Sequence, residues 1–128
     1  TESMAQRRYF ARMEAMRLQI EARLFLGLAK LEAHLALYPV GAFYRRHTDA
    51  LVGVHTRVLS TVLYLNENWT DADGGALRLY VPSDDGEMIH EISPVGGTLA
   101  LFLADEIEHE VLPASRQRLS ITGWLLQR

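Results

Sequence analysis

The feature that most constrains this chain is a change in the spacing of its apolar residues near Gly27. Across residues 4–26, apolar side chains recur at helical spacing with Arg and Glu between them, which is typical of an amphipathic helix. Ser3 and Gln6 have the spacing of a capping box at its start, and Gly27 is a plausible end. We therefore expect an N-terminal helix packed on a sheet.

Beyond Gly27 the apolar period becomes two, as in half-buried strands. Turn-forming residues such as Asp71–Gly75 and Pro94–Gly97 separate the segments. The predicted strands are Leu31–Tyr38, Arg57–Leu65, Ala76–Val81, Glu87–Ile92, Thr98–Leu103, Glu108–Leu112 and Gln117–Leu126. At least seven short strands after one helix predict a mainly β sandwich or jelly-roll barrel.

Length and composition limit the classes of protein. The 128 residues fit one domain, with a helical segment over 1–30 and the β-barrel over 31–128. A net charge of −3 argues against a nucleic-acid partner, and no apolar stretch approaches the roughly 18 residues of a membrane span. The absence of Cys excludes disulfides, thiolate metal sites and a cysteine nucleophile. The first residues resemble no secretory signal, so a cytoplasmic location is expected.

One short motif points to a metal. His47 and Asp49 are two residues apart, so an extended backbone directs both side chains to one face. A third ligand must come from elsewhere in the fold, and the candidates are His34, His55, His90 and His109. Two His and one carboxylate form the metal triad of non-heme Fe(II) oxygenases, whereas structural zinc takes four protein ligands, usually including Cys.

A second candidate group lies on the final predicted strand, where Arg118, Ser120, Thr122 and Trp124 share one face and the alternate residues are assigned to the core. A buried Arg needs a partner, and no acidic residue is an obvious one for Arg118. A ligand carboxylate would fit, because guanidinium binds carboxylate in a bidentate manner. The alternative is an Arg at the barrel rim in contact with water. Tyr64, which shares a strand face with Ser60 and Val62, is either a core residue or a donor to a buried anion.

Taken together, these residues and their spacing resemble the 2-oxoglutarate- and Fe(II)-dependent dioxygenases. The resemblance is greatest to prolyl hydroxylases of the hypoxia type and their bacterial relatives. It is carried by His47-X-Asp49, by His109 sixty residues later and by Arg118 nine residues beyond that. Flanking residues agree over about 31–128, including Tyr44–Asp49, Tyr64–Asn66, Trp69, Gly74–Arg78, His109–Pro113 and Arg118–Trp124. The family's fold is a double-stranded β-helix, a cupin-like jelly roll.

The resemblance implies roles for individual positions. His47, Asp49 and His109 match the iron ligands, while Arg118 and Tyr64 match the residues that bind the distal carboxylate of 2-oxoglutarate. The other positions of the cosubstrate pocket are Tyr38, Val62, Leu77, Val111, Thr122 and Trp124. Tyr38 and Tyr44 match tyrosines at the pocket mouth, and Tyr44 and Arg57 are expected near a peptide substrate. His34 is a further pocket candidate, whereas His55 and His90 have no match and are expected in a loop and on a solvent-facing strand.

The implied reaction consumes O2 and 2-oxoglutarate, releases succinate and CO2, and hydroxylates a prolyl residue of a protein, with ascorbate as reductant. Asp49 fills the place that a small residue takes in related halogenases, which favours hydroxylation. Three alternatives stay open. They are a nucleic-acid demethylase, which the acidic balance disfavours, a small-molecule hydroxylase with the same chemistry, and a non-enzymatic jelly-roll binding module.

Overall fold

The computed structural model describes residues 2–49 and 56–127. Its elements in chain order are helix α1 (Met4–Leu24), β1 (Leu28–Tyr38), β2 (Tyr44–His47), β3 (Arg57–Tyr64), a 3-10 turn (Asp71–Asp73), β4 (Leu77–Ser83), β5 (Gly86–Ile92), β6 (Leu99–Leu103), β7 (Glu108–Val111) and β8 (Arg118–Gln127). The seven predicted strands are present with ends that differ by up to three residues. β2 is a further strand that the apolar pattern did not predict.

Helix α1 begins with the predicted capping box: the hydroxyl of Ser3 accepts a hydrogen bond from the Gln6 N–H, and the Gln6 side chain accepts one from the Ser3 N–H. The predicted end at residue 26 is wrong by two residues. Phe25 adopts a left-handed conformation with φ 51°, and its N–H donates to the Glu21 carbonyl. The Glu21 carboxylate then accepts from the N–H groups of Gly27 and Leu28, so the chain turns directly into β1. The first strand therefore begins inside the segment assigned to the helix.

The strands form two antiparallel four-stranded sheets. The first sheet has the order β1-β8-β3-β6, and the second has the order β2-β7-β4-β5. Apart from the β4–β5 hairpin, neighbours in each sheet are not consecutive along the chain, as in a double-stranded β-helix, and this confirms the predicted jelly roll with its N-terminal helix.

Two apolar clusters hold these layers together. The cluster between the sheets consists of Tyr64, Leu77, Leu79, Ala100, Phe102 and Val111. The cluster on the other side of the first sheet consists of Leu28, Leu59 and Leu125, with Met16, Ile20 and Leu26 packed against it. Burial of apolar surface on both sides makes the first sheet the central layer, with α1 on one side and the second sheet on the other.

The two faces of strand β8 point to different layers of the fold. Arg118, Ser120, Thr122 and Trp124 face the space between the sheets, as predicted. The alternate residues of β8, on its opposite face, were expected to lie in the core along the whole strand, but only those near its C-terminal end do. Leu125 is fully buried under α1, whereas Leu119 and Ile121 are half-buried.

Among the described residues, no helix combines the length and the apolar character that a membrane span needs.

Candidate active site

The pairing of β2 with β7 creates a cluster of metal-ligand type between the sheets. His47 is the last residue of β2 and lies opposite His109 on β7, and Asp49 follows two residues after His47. One carboxylate oxygen of Asp49, Oδ1, lies 3.4 Å from His47 Nε2 and 3.3 Å from His109 Nε2. These three side chains could hold one ion.

The remaining candidates for the third ligand lie elsewhere. His90 is exposed on β5. His34 lies on β1 at the wall of the cavity, with its ring centroid 5.8 Å from that of Trp124. His55 falls outside the described residues. Among the residues that the structure describes, His109 is thus the His that joins His47 and Asp49.

Backbone contacts fix which ring nitrogen of each His faces Asp49. Nδ1 of His47 lies 2.6 Å from the Arg45 carbonyl, and Nδ1 of His109 lies 3.3 Å from the Ile107 carbonyl. A carbonyl can only accept, so each Nδ1 carries the proton and donates it. Each Nε2 faces Asp49 and, in the neutral ring, carries the lone pair that would bind a metal.

Asp49 is held ionised by its surroundings. Its side chain is only 13% exposed, and burial by itself would raise the pKa of the carboxyl. Hydrogen bonds from His109, Ser60 and Trp124, together with the charge of His109, outweigh burial and lower that pKa to about 2. The cluster therefore offers two imidazole nitrogens and one ionised carboxylate. This donor set fits Fe(II) in an oxygenase triad.

A buried guanidinium lies in the same space between the two sheets, on the side away from this cluster. Arg118 is 3% exposed, its Nε donates to the Gly75 carbonyl at 2.8 Å, and its Nη2 donates to the Tyr64 hydroxyl at 3.1 Å. Within residues 2–49 and 56–127 no carboxylate forms an ion pair with it. A buried charge without a counter-ion is costly, so this site fits a ligand carboxylate and rules out the rim position considered from the sequence.

Two tyrosines and a glycine shape this arginine end. The rings of Tyr38 and Tyr64 lie 5.4 and 4.9 Å from the guanidinium carbon. Burial raises the pKa of the Tyr64 hydroxyl while the neighbouring Arg118 opposes the rise, so this group is a neutral hydrogen-bond donor at physiological pH. Gly75 has φ +72°, and a Cβ there would lie 3.3 Å from Arg118 Cδ and 3.1 Å from the Trp69 ring. Only glycine leaves room for the arginine stem at this turn.

A cavity of about 430 Å³ joins the two ends. All the site residues named from the sequence line it: His47, Asp49, His109, Arg118, Tyr64, Thr122, Tyr38, Val62, Leu77, Val111, Trp124, Arg57 and Tyr44. The cavity is thus charged at both ends and lined between them by apolar side chains of the two sheets.

The mouth of the cavity carries the two residues expected near a peptide. The guanidinium of Arg57 stacks on Trp124 at 3.7 Å and donates to the Asp49 carbonyl at 3.1 Å. Tyr44 is 52% exposed, and its ring packs against His47 with 4.1 Å between ring centroids. Both side chains border the metal cluster and reach the surface.

Sequence reasoning missed several cavity residues. Ser60, Phe102 and Ser120 contact or surround the charged groups without having been given a role. The Ser60 signal was present in the sequence, since Ser60 shares the strand face of Val62 and Tyr64. Its partner Asp49 lies in a loop, however, and strand periodicity carries no information about contacts between a strand and a loop.

Comparisons with known proteins agree with this geometry. A family model described as the 2OG-Fe(II) oxygenase superfamily matches residues 33–126. The hypoxia-inducible factor prolyl hydroxylase of Caenorhabditis elegans is 40% identical over 99 residues, which is 75% of this chain and 13% of that protein. Egl nine homolog 1 of Homo sapiens is 35% identical over 98 residues, or 74% of this chain and 22% of that protein. The chain thus spans less than a quarter of the length of these two relatives.

Two solved structures extend the likeness to the fold. The crystal structure of a Pseudomonas putida prolyl-4-hydroxylase has a TM-score of 0.93 and 50% identity, covering 99% of this chain and 68% of that one. A prolyl hydroxylase from Trichoplax adhaerens, solved with a peptide of the hypoxia-inducible factor oxygen degradation domain, has a TM-score of 0.79 and 30% identity over 91% of this chain and 54% of that one. The cluster of His47, Asp49 and His109 and the buried Arg118 lie in one cavity of a double-stranded β-helix, and the family model matches most of the chain. This chain therefore belongs to the 2OG-Fe(II) oxygenase superfamily.

Proposed function

We propose that this protein is an Fe(II)- and 2-oxoglutarate-dependent dioxygenase that hydroxylates a prolyl residue in a protein or peptide. The observation that carries the proposal is one cavity with the His47–Asp49–His109 cluster at one end and, at the other, the buried guanidinium of Arg118, which no carboxylate of the described residues pairs. The reaction consumes O2 and releases succinate and CO2. Its cosubstrate needs both ends, because 2-oxoglutarate carries a metal-chelating keto acid and a distal carboxylate.

The cavity residues have three different roles in this reaction. His47, Asp49 and His109 would hold the iron, which supplies O2 activation coupled to oxidative decarboxylation of 2-oxoglutarate. Arg118 and Tyr64 bind the distal carboxylate through charge-assisted hydrogen bonds. The apolar walls at Val62, Leu77 and Val111 exclude water from the chain between the two carboxylates. These contacts orient the cosubstrate, and the protein contributes binding and positioning.

The mouth supports a peptide as substrate. The exposed Tyr44 ring beside His47 and the Arg57 guanidinium over Trp124 offer an aromatic face and a cation next to the metal cluster. An aromatic face packs well against a proline ring, and a cation suits an acidic or carbonyl-rich peptide. The names of the relatives support this substrate class, as does the peptide bound to the Trichoplax adhaerens protein. Ascorbate belongs to the proposal as a reductant that keeps the iron ferrous. The cytoplasmic location and the lack of a nucleic-acid partner stay predictions.

The test is to incubate the protein with Fe(II), 2-oxoglutarate, ascorbate and proline-containing peptides or a host-cell lysate. We expect peptide-stimulated succinate formation and the addition of one oxygen atom to a proline, detected by mass spectrometry. A matched peptide with that proline replaced by Ala should give no product. An active enzyme that oxidises only free small molecules would establish the small-molecule hydroxylase instead, and no 2-oxoglutarate turnover with or without added iron would favour the binding module.

A further inference from the structure

The backbone and side chain of Asp49 accept or donate hydrogen bonds at several points, whereas each His side chain has one backbone partner. Asp49 lies in the loop after β2, where its N–H donates to the Ala104 carbonyl at 2.9 Å and its carbonyl accepts from Arg57. Its second carboxylate oxygen, Oδ2, accepts from the Ser60 hydroxyl at 2.5 Å and from Trp124 Nε1 at 3.2 Å. The two carboxylate oxygens therefore have different partners: Oδ1 faces the two His rings, and Oδ2 faces the first sheet.

The two donors saturate Oδ2. An ionised carboxylate has about two acceptor sites on each oxygen, and Ser60 and Trp124 fill both on this one. Ser60 is 1% exposed, so water cannot readily replace its hydroxyl. A metal that approached Oδ2 would have to displace two buried hydrogen bonds to a charged group, each of which stabilises more than a neutral one.

We propose that Ser60, together with Trp124, is a positioning residue that restricts Asp49 to binding the metal through Oδ1 alone. The inference rests on the proposed function, because it concerns the same metal cluster. A carboxylate that bound through both oxygens would occupy one coordination position more, at the expense of the cosubstrate or O2. Ser60 would thereby keep open the positions on which the oxygenase triad depends.

The sheet register explains why these two donors meet at Asp49. Ser60 on β3 lies directly opposite Trp124 on β8. Farther along the same pair of strands, Tyr64 lies opposite Ser120, two residues from Arg118. One antiparallel strand pair thus holds the loop ligand at one end and the carboxylate-binding pair at the other. The separation of the Asp49 carboxylate from the Arg118 guanidinium therefore follows from the rise per residue along these two paired strands.

The experiment compares metal binding by Ser60→Ala, Ser60→Thr and the wild type, with Co(II) as a probe that has visible absorption bands sensitive to coordination. Loss of such an outer hydrogen bond typically weakens metal binding 10–100-fold, so we expect a Co(II) Kd at least about tenfold higher for Ser60→Ala, with a changed absorption spectrum. Ser60→Thr keeps the hydroxyl and should restore both. His109→Ala shows that the signal comes from the triad.

Thr61→Val is the matched control. Thr61 is the next residue on β3, its side chain is also fully buried, and it lies on the face opposite the cavity. Thr61→Val should leave the Co(II) Kd and spectrum unchanged, even where it shifts the melting temperature. Trp124→Phe removes the other donor and serves where Ser60→Ala fails to fold.

The outcomes separate the two proposals. Unchanged Co(II) affinity and spectrum in Ser60→Ala, or in Trp124→Phe where the first variant is unfolded, would overturn the positioning role even if the enzyme hydroxylates prolyl peptides. Weakened and altered Co(II) binding that Ser60→Thr restores would support it, even if no prolyl peptide is ever turned over.

Discussion

The two ends of the cavity are built in different ways. At the arginine end, Arg118 and Tyr64 lie on adjacent inner strands of the first sheet and are 3% and 0% exposed. At the metal end, His47 closes a four-residue edge strand of the second sheet with its side chain 28% exposed, and Asp49 lies beyond the strand. Strand pairing places both side chains of the arginine end, and Gly75 leaves room for the arginine stem. At the metal end, strand pairing positions the two His, but Asp49 is held by hydrogen bonds between the first sheet and a loop, so its geometry is the more easily disturbed.

The largest effect should come from removing a metal ligand. His109→Ala leaves two ligands, and we expect succinate formation to fall by more than about a hundredfold, beyond the 10–100-fold typical of an outer-sphere partner. The barrel should stay folded by circular dichroism, because neighbouring Val111 keeps its place in the core. His90→Ala, on the exposed β5, is the control and should retain full activity. Near-normal turnover by His109→Ala would show that the metal is bound elsewhere.

Arg118→Ala tests the other end of the cavity. Removing one partner of a desolvated charge pair costs about 2–5 kcal/mol, so the apparent affinity for 2-oxoglutarate should fall by more than about thirtyfold. Metal binding should stay close to normal, because the triad is untouched. Arg116→Ala is the matched control: this side chain is 40% exposed, and its guanidinium contacts the backbone of Glu67 and Asn68 outside the cavity. A loss in Arg116→Ala with none in Arg118→Ala would reverse the assignment.

Tyr64→Phe should have a smaller effect in the same direction. It removes one hydroxyl from the carboxylate site and leaves the guanidinium in place. A hydrogen bond to a charged group contributes about 1.5–3 kcal/mol, which corresponds to a roughly tenfold to hundredfold loss of 2-oxoglutarate affinity. Titration of 2-oxoglutarate against Tyr64→Phe and Arg118→Ala side by side would measure it, and a greater loss in the tyrosine variant would contradict this division of roles.

Acid should destabilise the metal end of the metal-free protein. The pKa of Asp49 is about 2 in the folded chain against an ordinary 3.8, so its stabilising contribution is present above about pH 4 and is lost as the pH falls toward 2. The difference corresponds to about 2 kcal/mol of the free energy of unfolding. Urea unfolding of wild type and Asp49→Asn across this range should show the extra slope only in the wild type. Identical pH dependence would show that Asp49 is not so stabilised.

The smallest expected effect is indirect. In Gly75→Ala the new methyl group would lie 3.0 Å from the Ala114 Cβ and 3.3 Å from Arg118 Cδ, at a positive φ that costs about 1–2 kcal/mol. We expect a lower melting temperature and a severalfold loss of 2-oxoglutarate affinity. Gly97→Ala has a similar φ of +89° with nothing within 4 Å of the added group, so it should lose stability alone. Equal affinities in the two variants would contradict the argument.

Much of the arginine end could be predicted from the sequence. Period-two alternation placed Arg118 and Tyr64 on cavity-facing sides of their strands, and the family resemblance supplied their pairing. The helix cap at Ser3 followed from local spacing alone. The end of the helix did not, since it is fixed by the Glu21 carboxylate, which accepts from residues six and seven positions later.

The metal end was less accessible to pattern reasoning. Strand β2 is too short and too polar to show an alternation, with its first three residues exposed. The sequence alone left four His as candidates, because choosing His109 requires knowing that β2 pairs with β7. The roles of Ser60 and Trp124 at Asp49 depend on where a loop meets a sheet, which neither propensity nor periodicity encodes.

The buried guanidinium of Arg118 has a consequence for the proposed reaction. Its hydrogen bonds to Gly75 and Tyr64 hold it at a fixed depth in the cavity, where in the proposed reaction it would bind the distal carboxylate whatever lies at the other end of the ligand. In the proposed reaction succinate has a carboxylate of the same kind, so product and cosubstrate compete for one cation. Only the chelating keto acid, bound at the metal, distinguishes them. The enzyme would therefore be inhibited by its own product, and its rate would follow the ratio of 2-oxoglutarate to succinate.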